Sequence, residues 1–305
     1  GDEVEEAFSK WNLNLIRMNE EDEFLAALKG LTDPEDKRKA IGAQFIRTFE
    51  KMGKEIGAKV QDIIAKNGPE SLAIIQDPRP SGKQYSARFM NALGSANVYA
   101  HSSSCNLSKE SAYQLTIGAT GYSNDFANAK MVMFIGRSYG DGIRPSSVQS
   151  LADAAEHGTR VVIVDPRLNN SGIFASDWVP INPGTDLALL MAMANVLIEE
   201  DLYDHDFVEQ NTYGFEEFAE QAKEYTPEWA EKITDVPAET IQELARSMAK
   251  AAPAASIESG WRSVIGCSYK NSFETARAIT AINSLLGCWG AKGGALITSS
   301  PKAGA

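Results

Sequence analysis

Three loops in this sequence carry residues whose types suit a nucleotide ligand. Gly136-Arg137-Ser138-Tyr139-Gly140-Asp141-Gly142 follows the apolar run Met131–Ile135, and its glycines let backbone N–H groups come close to a pyrophosphate. Asp165-Pro166-Arg167 follows the run Arg160–Val164; there the Asp165 carboxylate can accept from ribose hydroxyls or a guanine edge, and Arg167 can pair with phosphate. Asn182-Pro183-Gly184-Thr185-Asp186 joins a tight turn to a helix start and offers backbone donors together with Asp186. Without a ligand the same residues read as a turn, a capping Asp beside a solvated Arg, and a plain helix cap.

Cys105 stands in His101-Ser102-Ser103-Ser104-Cys105-Asn106, just ahead of a helical pattern. The dipole and orphan N–H groups of a helix start favour a thiolate there, as a nucleophile or a soft-metal ligand; a buried, inert thiol is the alternative. Cys267 and Cys288 lie beside glycines in helix-flanking segments and read as structural. His101, His157 and His205 are scattered, and no pair has metal-ligand spacing. The sequence contains no GxGxxG, no G-x-S-x-G and no P-loop.

These loops need strands and helices to hold them. The apolar period over 34–66 predicts a long amphipathic, core-facing helix stopped by Asn67-Gly68-Pro69. Beyond it, strands are expected at 72–75, 97–99, 131–135, 160–164, 178–181 and 255–258, with another starting at 295. Helices are expected at 85–93, 109–117, 147–156, 186–198 and 273–286. Residues 201–251 read as mostly helical, with starts at Thr226-Pro227-Glu228 and Pro237-Ala238-Glu239. This alternation predicts an α/β fold of two doubly wound, Rossmann-like parallel-sheet domains with flanking helices. The expected division is an N-terminal helical segment over 1–67, a first α/β domain over 68–142, a second over 143–252, and a return to the first over 253–305.

The chain has 305 residues, 43% of them hydrophobic and 9% aromatic, enough for a sizeable core. Its formal charge of -12 repels phosphate backbones and argues against nucleic-acid binding. Three cysteines with no CxxC spacing make neither a disulfide framework nor a zinc ribbon, and they cannot supply the four thiolates of an iron-sulfur cluster. The chain opens at Gly1 on acidic residues and ends in a small, polar tail, which reads as an excised piece of a larger protein.

Taken together these segments resemble the catalytic subunit of the molybdopterin oxidoreductases of the dimethyl sulfoxide reductase family. The residues that carry the likeness are Gly136-Arg137, Val162-Ile163-Val164-Asp165-Pro166-Arg167, Pro183-Gly184-Thr185-Asp186, Tyr225-Thr226-Pro227-Glu228-Trp229-Ala230, and Leu285-Leu286-Gly287 leading to Gly293-Gly294. It extends from about Gly68 to Leu296, and residues 1–66 match poorly. Within the family, Pro69-Glu70-Ser71, Asn97-Val98 through Cys105, and Arg144-Pro145-Ser146-Ser147 look most like polysulfide, thiosulfate and tetrathionate reductases, with arsenate reductases nearby.

The resemblance implies molybdenum held by two molybdopterin guanine dinucleotides, with Cys105 as the thiolate ligand of the metal. Gly136, Arg137, Ser138, Asp165, Pro166, Arg167, Pro183, Gly184 and Asp186 would hold the guanine dinucleotide. Gly260-Trp261-Arg262 matches the segment entering the active site, so Arg262 is expected to orient a small anionic sulfur substrate. The family's [4Fe-4S] cluster motif and its C-terminal β-rich domain are expected outside this stretch, and the stretch alone is expected to be inactive. The resemblance further implies an iron-sulfur electron-transfer subunit, a membrane anchor and a periplasmic or extracytoplasmic location. Rival readings are arsenate or nitrate reductase, formate dehydrogenase, a nucleotide-binding module without redox chemistry, and a nicotinamide-dependent dehydrogenase.

Overall fold

The computed structural model describes residues 6, 18–76, 83–141, 145–258, 260 and 262–297. Two compact units are present, residues 1–100 and residues 101–305.

In the first unit, helix α1 (Glu21–Leu28) packs on the 34-residue helix α2 (Pro34–Asn67), with the Phe24 and Phe45 rings edge to face at 4.9 Å. Asp33 caps α2 by accepting from the N–H groups of Glu35 and Asp36, Pro34 fills the first turn, and Gly68 ends it at φ 82°. The apolar stripe expected to face a core is largely open among the described residues: Phe45, Phe49, Ile56 and Ile63 are exposed. The reason is length, since a helix of this size runs about 50 Å and the eight residues of α1 cover only part of it. Strands β1 (Ile74–Gln76) and β2 (Val98–Ala100) pair in parallel around helix α3 (Lys83–Leu93), each set about one residue later than the sequence suggests.

The second unit is built on a four-stranded parallel sheet of order β6-β5-β4-β7. Its strands are β4 (Met131–Ile135), β5 (Arg160–Val164), β6 (Asp177–Val179) and β7 (Ala255–Ile257). A two-residue strand, β3 (Ser123–Asn124), pairs antiparallel with β8 (Ala295–Leu296). The helices are α4 (Leu107–Ile117), α5 (Pro145–Glu156), α6 (Asp186–Glu199), α7 (His205–Asn211), α8 (Phe215–Ala222), α9 (Pro227–Thr234), α10 (Ala238–Ala251) and α11 (Ser272–Leu285). Thr226 caps α9 through the Trp229 N–H, as its position before Pro227 predicts.

Every residue of β4 is buried, and alternate residues enter different cores. Met131, Met133 and Ile135 pack with residues of α6, α10 and α11, whereas Val132 and Phe134 pack with Leu151 of α5 and with Tyr139. Burial on both faces explains the unbroken apolar runs of β4 and β5 and makes this an α/β sheet with helices on both sides. The 142/143 boundary expected from sequence falls between β4 and β5, which are hydrogen-bonded neighbours from Met131↔Arg160 to Ile135↔Val164. Among the described residues no helix is long and apolar enough to cross a membrane.

From β4 the chain steps outward through β5 to β6, then returns to add β7 on the other side of β4. The loops after β4 and β7 therefore leave the sheet in diverging directions. That divergence opens the crevice in which doubly wound sheets place their ligands.

Candidate functional site

The loop after β4 begins with Gly136 at φ 54°, a left-handed conformation suited to glycine, and its N–H bonds the Val164 carbonyl. Arg137, expected to contact a nucleotide, is buried. Its guanidinium lies 4.8 Å from the centre of the Tyr139 ring, and its Nε is 3.7 Å from Oε2 of Glu258, itself buried. Ser138 Oγ is 3.1 Å from Ser171 Oγ, and that hydroxyl also accepts the Gly140 N–H. A Cβ at Gly140 would strike the backbone of Asn170, so the two loops touch with no room for a side chain between them. Residues Gly142 and Arg144 lie outside the described residues.

After β5, Asp165 turns its carboxylate back on its own loop. Oδ1 accepts the Arg167 N–H and Oδ2 accepts from Asn169 Nδ2, both at 3.0 Å, which closes the turn through Pro166. Arg167 is exposed and reaches Asp141 Oδ2 at 2.6 Å, tying this loop to the one after β4. Although partial burial pushes the Asp141 carboxyl up, the hydrogen bonds from Arg167 and Ser138 outweigh it and hold it below its usual range.

The Pro183-Gly184 turn leads to Asp186 at the start of α6. Gly184, at φ 80°, is overlain by Tyr269, since a Cβ there would sit 2.7 Å from the tyrosine ring, and Asn271 Nδ2 reaches the Gly184 carbonyl at 3.4 Å. Asp186 is buried, and burial raises its carboxyl to about 6 despite its own backbone N–H, with the Asp165 charge adding to the rise. Among the described residues no cation offsets this buried carboxylate, which suits a neutral ligand presenting N–H donors, as a guanine edge does. On this observation the residues fit the nucleotide part of the expected cofactor.

Cys105 and Arg262 are brought together by a third residue. Gly266 packs so closely that a Cβ on it would lie 2.6 Å from the Cys105 carbonyl oxygen and 3.2 Å from the Arg262 Cα. Arg262 is exposed; Trp261 lies outside the described residues. Among the described residues, no three or more of His, Cys, Asp and Glu gather to hold a metal. A thiolate at Cys105 would be a suitable donor for a soft ion.

Sequence reasoning read Cys267 as structural. Its Sγ donates to the Ser103 carbonyl at 3.3 Å and accepts from Ser108 Oγ at 3.6 Å, so this thiol also sits at the start of α4, next to the Cys105 segment. Slight burial pushes the Cys267 thiol up, but the Ser108 N–H and hydroxyl and the Leu107 N–H outweigh it and lower it from its ordinary value. No local signal could have revealed this, because Cys267 and Ser103 are 164 residues apart. Cys288 is the structural thiol the sequence suggests: it is buried, and burial pushes it up to about 12. Of the histidines, His157 Nδ1 meets the Asp153 carbonyl at the end of α5, and His205 at the start of α7 pairs with Asp201 in the preceding connection.

A model of the molybdopterin oxidoreductase family matches residues 50–296, so the family region includes the second half of α2. The molybdopterin-containing subunit of thiosulfate reductase from Salmonella typhimurium is 37% identical over 79% of this chain and 31% of that protein. The acetylene hydratase of Syntrophotalea acetylenica is 34% identical over 76% of this chain and 32% of that protein. The solved acetylene hydratase from Pelobacter acetylenicus superposes with a TM-score of 0.65 at 32% identity, covering 80% of this chain and 33% of its own. The chain therefore spans about a third of the length of these relatives. Its fold, its strand-end loops and this match over most of its length make the chain a member of the molybdopterin oxidoreductase family.

Proposed function

We propose that this chain is the central part of a respiratory molybdenum oxidoreductase that binds molybdopterin guanine dinucleotide and reduces a sulfur oxyanion or polysulfide by two electrons. The observation that supports this reading most is the packing of Gly266 on the Cys105 carbonyl and close to the Arg262 backbone. The likeness to a thiosulfate reductase subunit supports the substrate class. When bound, the cofactor supplies reversible two-electron chemistry at its metal.

The residues of this chain bind and orient. Cys105 supplies one thiolate. Gly136, Ser138 and the turn at Pro183 and Gly184 offer backbone and hydroxyl groups to the phosphates and sugar. Asp186 accepts from the base, and Asp165 holds the turn through Pro166 beside it. Arg137 acts through Glu258 rather than on the nucleotide, and Arg167 through Asp141, as their contacts indicate. Arg262 draws in an anionic substrate and turns its sulfur toward Cys105. The reading extends to an iron-sulfur partner subunit that delivers electrons, a membrane anchor, a [4Fe-4S] cluster carried elsewhere in the subunit, and a periplasmic location.

The test is made on the complete subunit. Metal and nucleotide analysis should find about one molybdenum and two guanine nucleotides per subunit, with thiosulfate or polysulfide reduced by a viologen donor. Full molybdenum loading and unchanged activity in Cys105→Ser would remove Cys105 from the metal.

A further inference from the structure

We propose that Glu258 is a positioning residue that fastens the Arg262 segment to the loop after β4. The backbone ladder cannot do this. Among the described residues its last link between the two strands is the Glu258 N–H to the Met133 carbonyl at 2.8 Å, and beyond it the two loops diverge at the switch in strand order. The Glu258 side chain spans the gap. Its Oε1 accepts the Tyr139 hydroxyl proton at 2.6 Å, and its Oε2 accepts the Gly260 N–H, also at 2.6 Å.

The charge of this carboxylate is compensated in place. Arg137 Nε lies 3.7 Å from Oε2, and the side chains of Arg137 and Glu258 are 6% and 3% exposed. The Arg137 guanidinium is in turn seated over the Tyr139 ring. Both carboxylate oxygens are thus engaged, one by each loop, and short charge-assisted bonds of this kind fix direction as well as distance.

From Glu258 the constraint passes along the chain. Gly260 stands at φ 60°, and a Cβ on it would collide with the Ile265 side chain, so Gly260 packs directly on Ile265. Gly266 then packs on the Cys105 carbonyl. Arg262 sits between these two fixed points. Buried ion pairs contribute little net stability but are well suited to specifying one arrangement among several, which is the role assigned to Arg137 and Glu258 here. The effect on substrate rests on the reading of Arg262 given above, whereas the fastening itself is measured independently of it.

The experiment compares Arg137→Met/Glu258→Gln with Arg137→Met/Glu258→Leu in the complete, cofactor-loaded subunit. Arg137→Met removes the buried cation from both variants, so neither leaves a charge unpaired. The glutamine can still accept from Gly260 and bond Tyr139, while the leucine can do neither. Amide exchange over 260–266 should be at least tenfold faster in the leucine variant and within threefold of the parent in the glutamine variant. The KM for thiosulfate should rise about tenfold in the leucine variant alone. Equal exchange in the two variants would overturn the proposal. Faster exchange with an unmoved KM, in the leucine variant and in Arg262→Ala alike, would keep Glu258 as the fastening point and discard Arg262 as a substrate contact.

Discussion

Gly266 lies against Cys105 so closely that its missing side chain is the condition of the contact: an added Cβ would be 2.6 Å from the Cys105 carbonyl oxygen. Real Cβ atoms do not approach backbone oxygen at that distance, so any other residue at 266 must push the Cys105 segment or the Arg262 turn aside.

Gly266→Ala should therefore destabilise the fold by about 1–3 kcal/mol, the range for overpacking a tight site. It should also weaken retention of the metal. Gly121→Ala is the matched comparison, since its Cβ would meet nothing within 4 Å. Thermal unfolding of the two variants decides the matter, and equal midpoints would mean that the 262–266 turn can move freely.

Asp186 predicts an inverted pH dependence in cofactor-free protein. Its folded-state pKa is raised to about 6 by burial, so the fold favours the protonated form. That contribution is complete below the unfolded carboxylate value and is lost as pH rises through about 6. Asp186→Asn should then match the parent at pH 3.5 to 4 and exceed it in stability at pH 7 to 8, by at most about 3 kcal/mol. Denaturant melts across this range test it, and an asparagine variant less stable than the parent at pH 8 would contradict it. In the loaded enzyme the sign should reverse, because the amide oxygen accepts more weakly than a carboxylate.

Two cysteines should separate by reactivity. Cys267 is exposed with a lowered pKa, whereas Cys288 is buried and raised to about 12. Limited iodoacetamide treatment of native protein at pH 7.5, followed by peptide mass spectrometry, should label Cys267 at least tenfold faster than Cys288. Ser108→Ala should slow the Cys267 reaction at this pH by withdrawing a hydrogen bond to its sulfur. Labelling of Cys288 at a comparable rate would show that this face opens readily.

Arg262→Ala in the complete subunit should raise the KM for thiosulfate by about tenfold or more, the loss of one charge-assisted contact. Molybdenum content should not change. Arg262→Lys should recover only part, since a point charge replaces a planar fork. A KM and kcat both equal to those of the parent would take Arg262 out of the substrate path.

What the sequence determined by itself was local. The runs Met131–Ile135 and Arg160–Val164 become β4 and β5 with unchanged bounds, because positions buried on both faces are apolar, Arg160 at the start of β5 being only partly buried and paired with Asp177. Asp33-Pro34 and Thr226-Pro227 start helices because the cap and first-turn chemistry lie within four residues. The strand-end loops were legible for the same reason. The two-residue strands β3 and β8 offered no comparable period, and their pairing needed the folded chain.

Only the tertiary structure decided which of these loops meet, and through which side chains. The order β6-β5-β4-β7 places Glu258 against Tyr139, 119 residues away, and seats Arg137, which the resemblance assigns to the guanine dinucleotide, as a buried neighbour of that carboxylate. The same folding carries Cys267 to the start of α4, where its spacing in the chain gave no hint of it. Contacts at such separations depend on how whole layers pack around the sheet. No short stretch of residues encodes them, because each partner is also compatible with being a solvated charge or an ordinary core thiol until the other arrives.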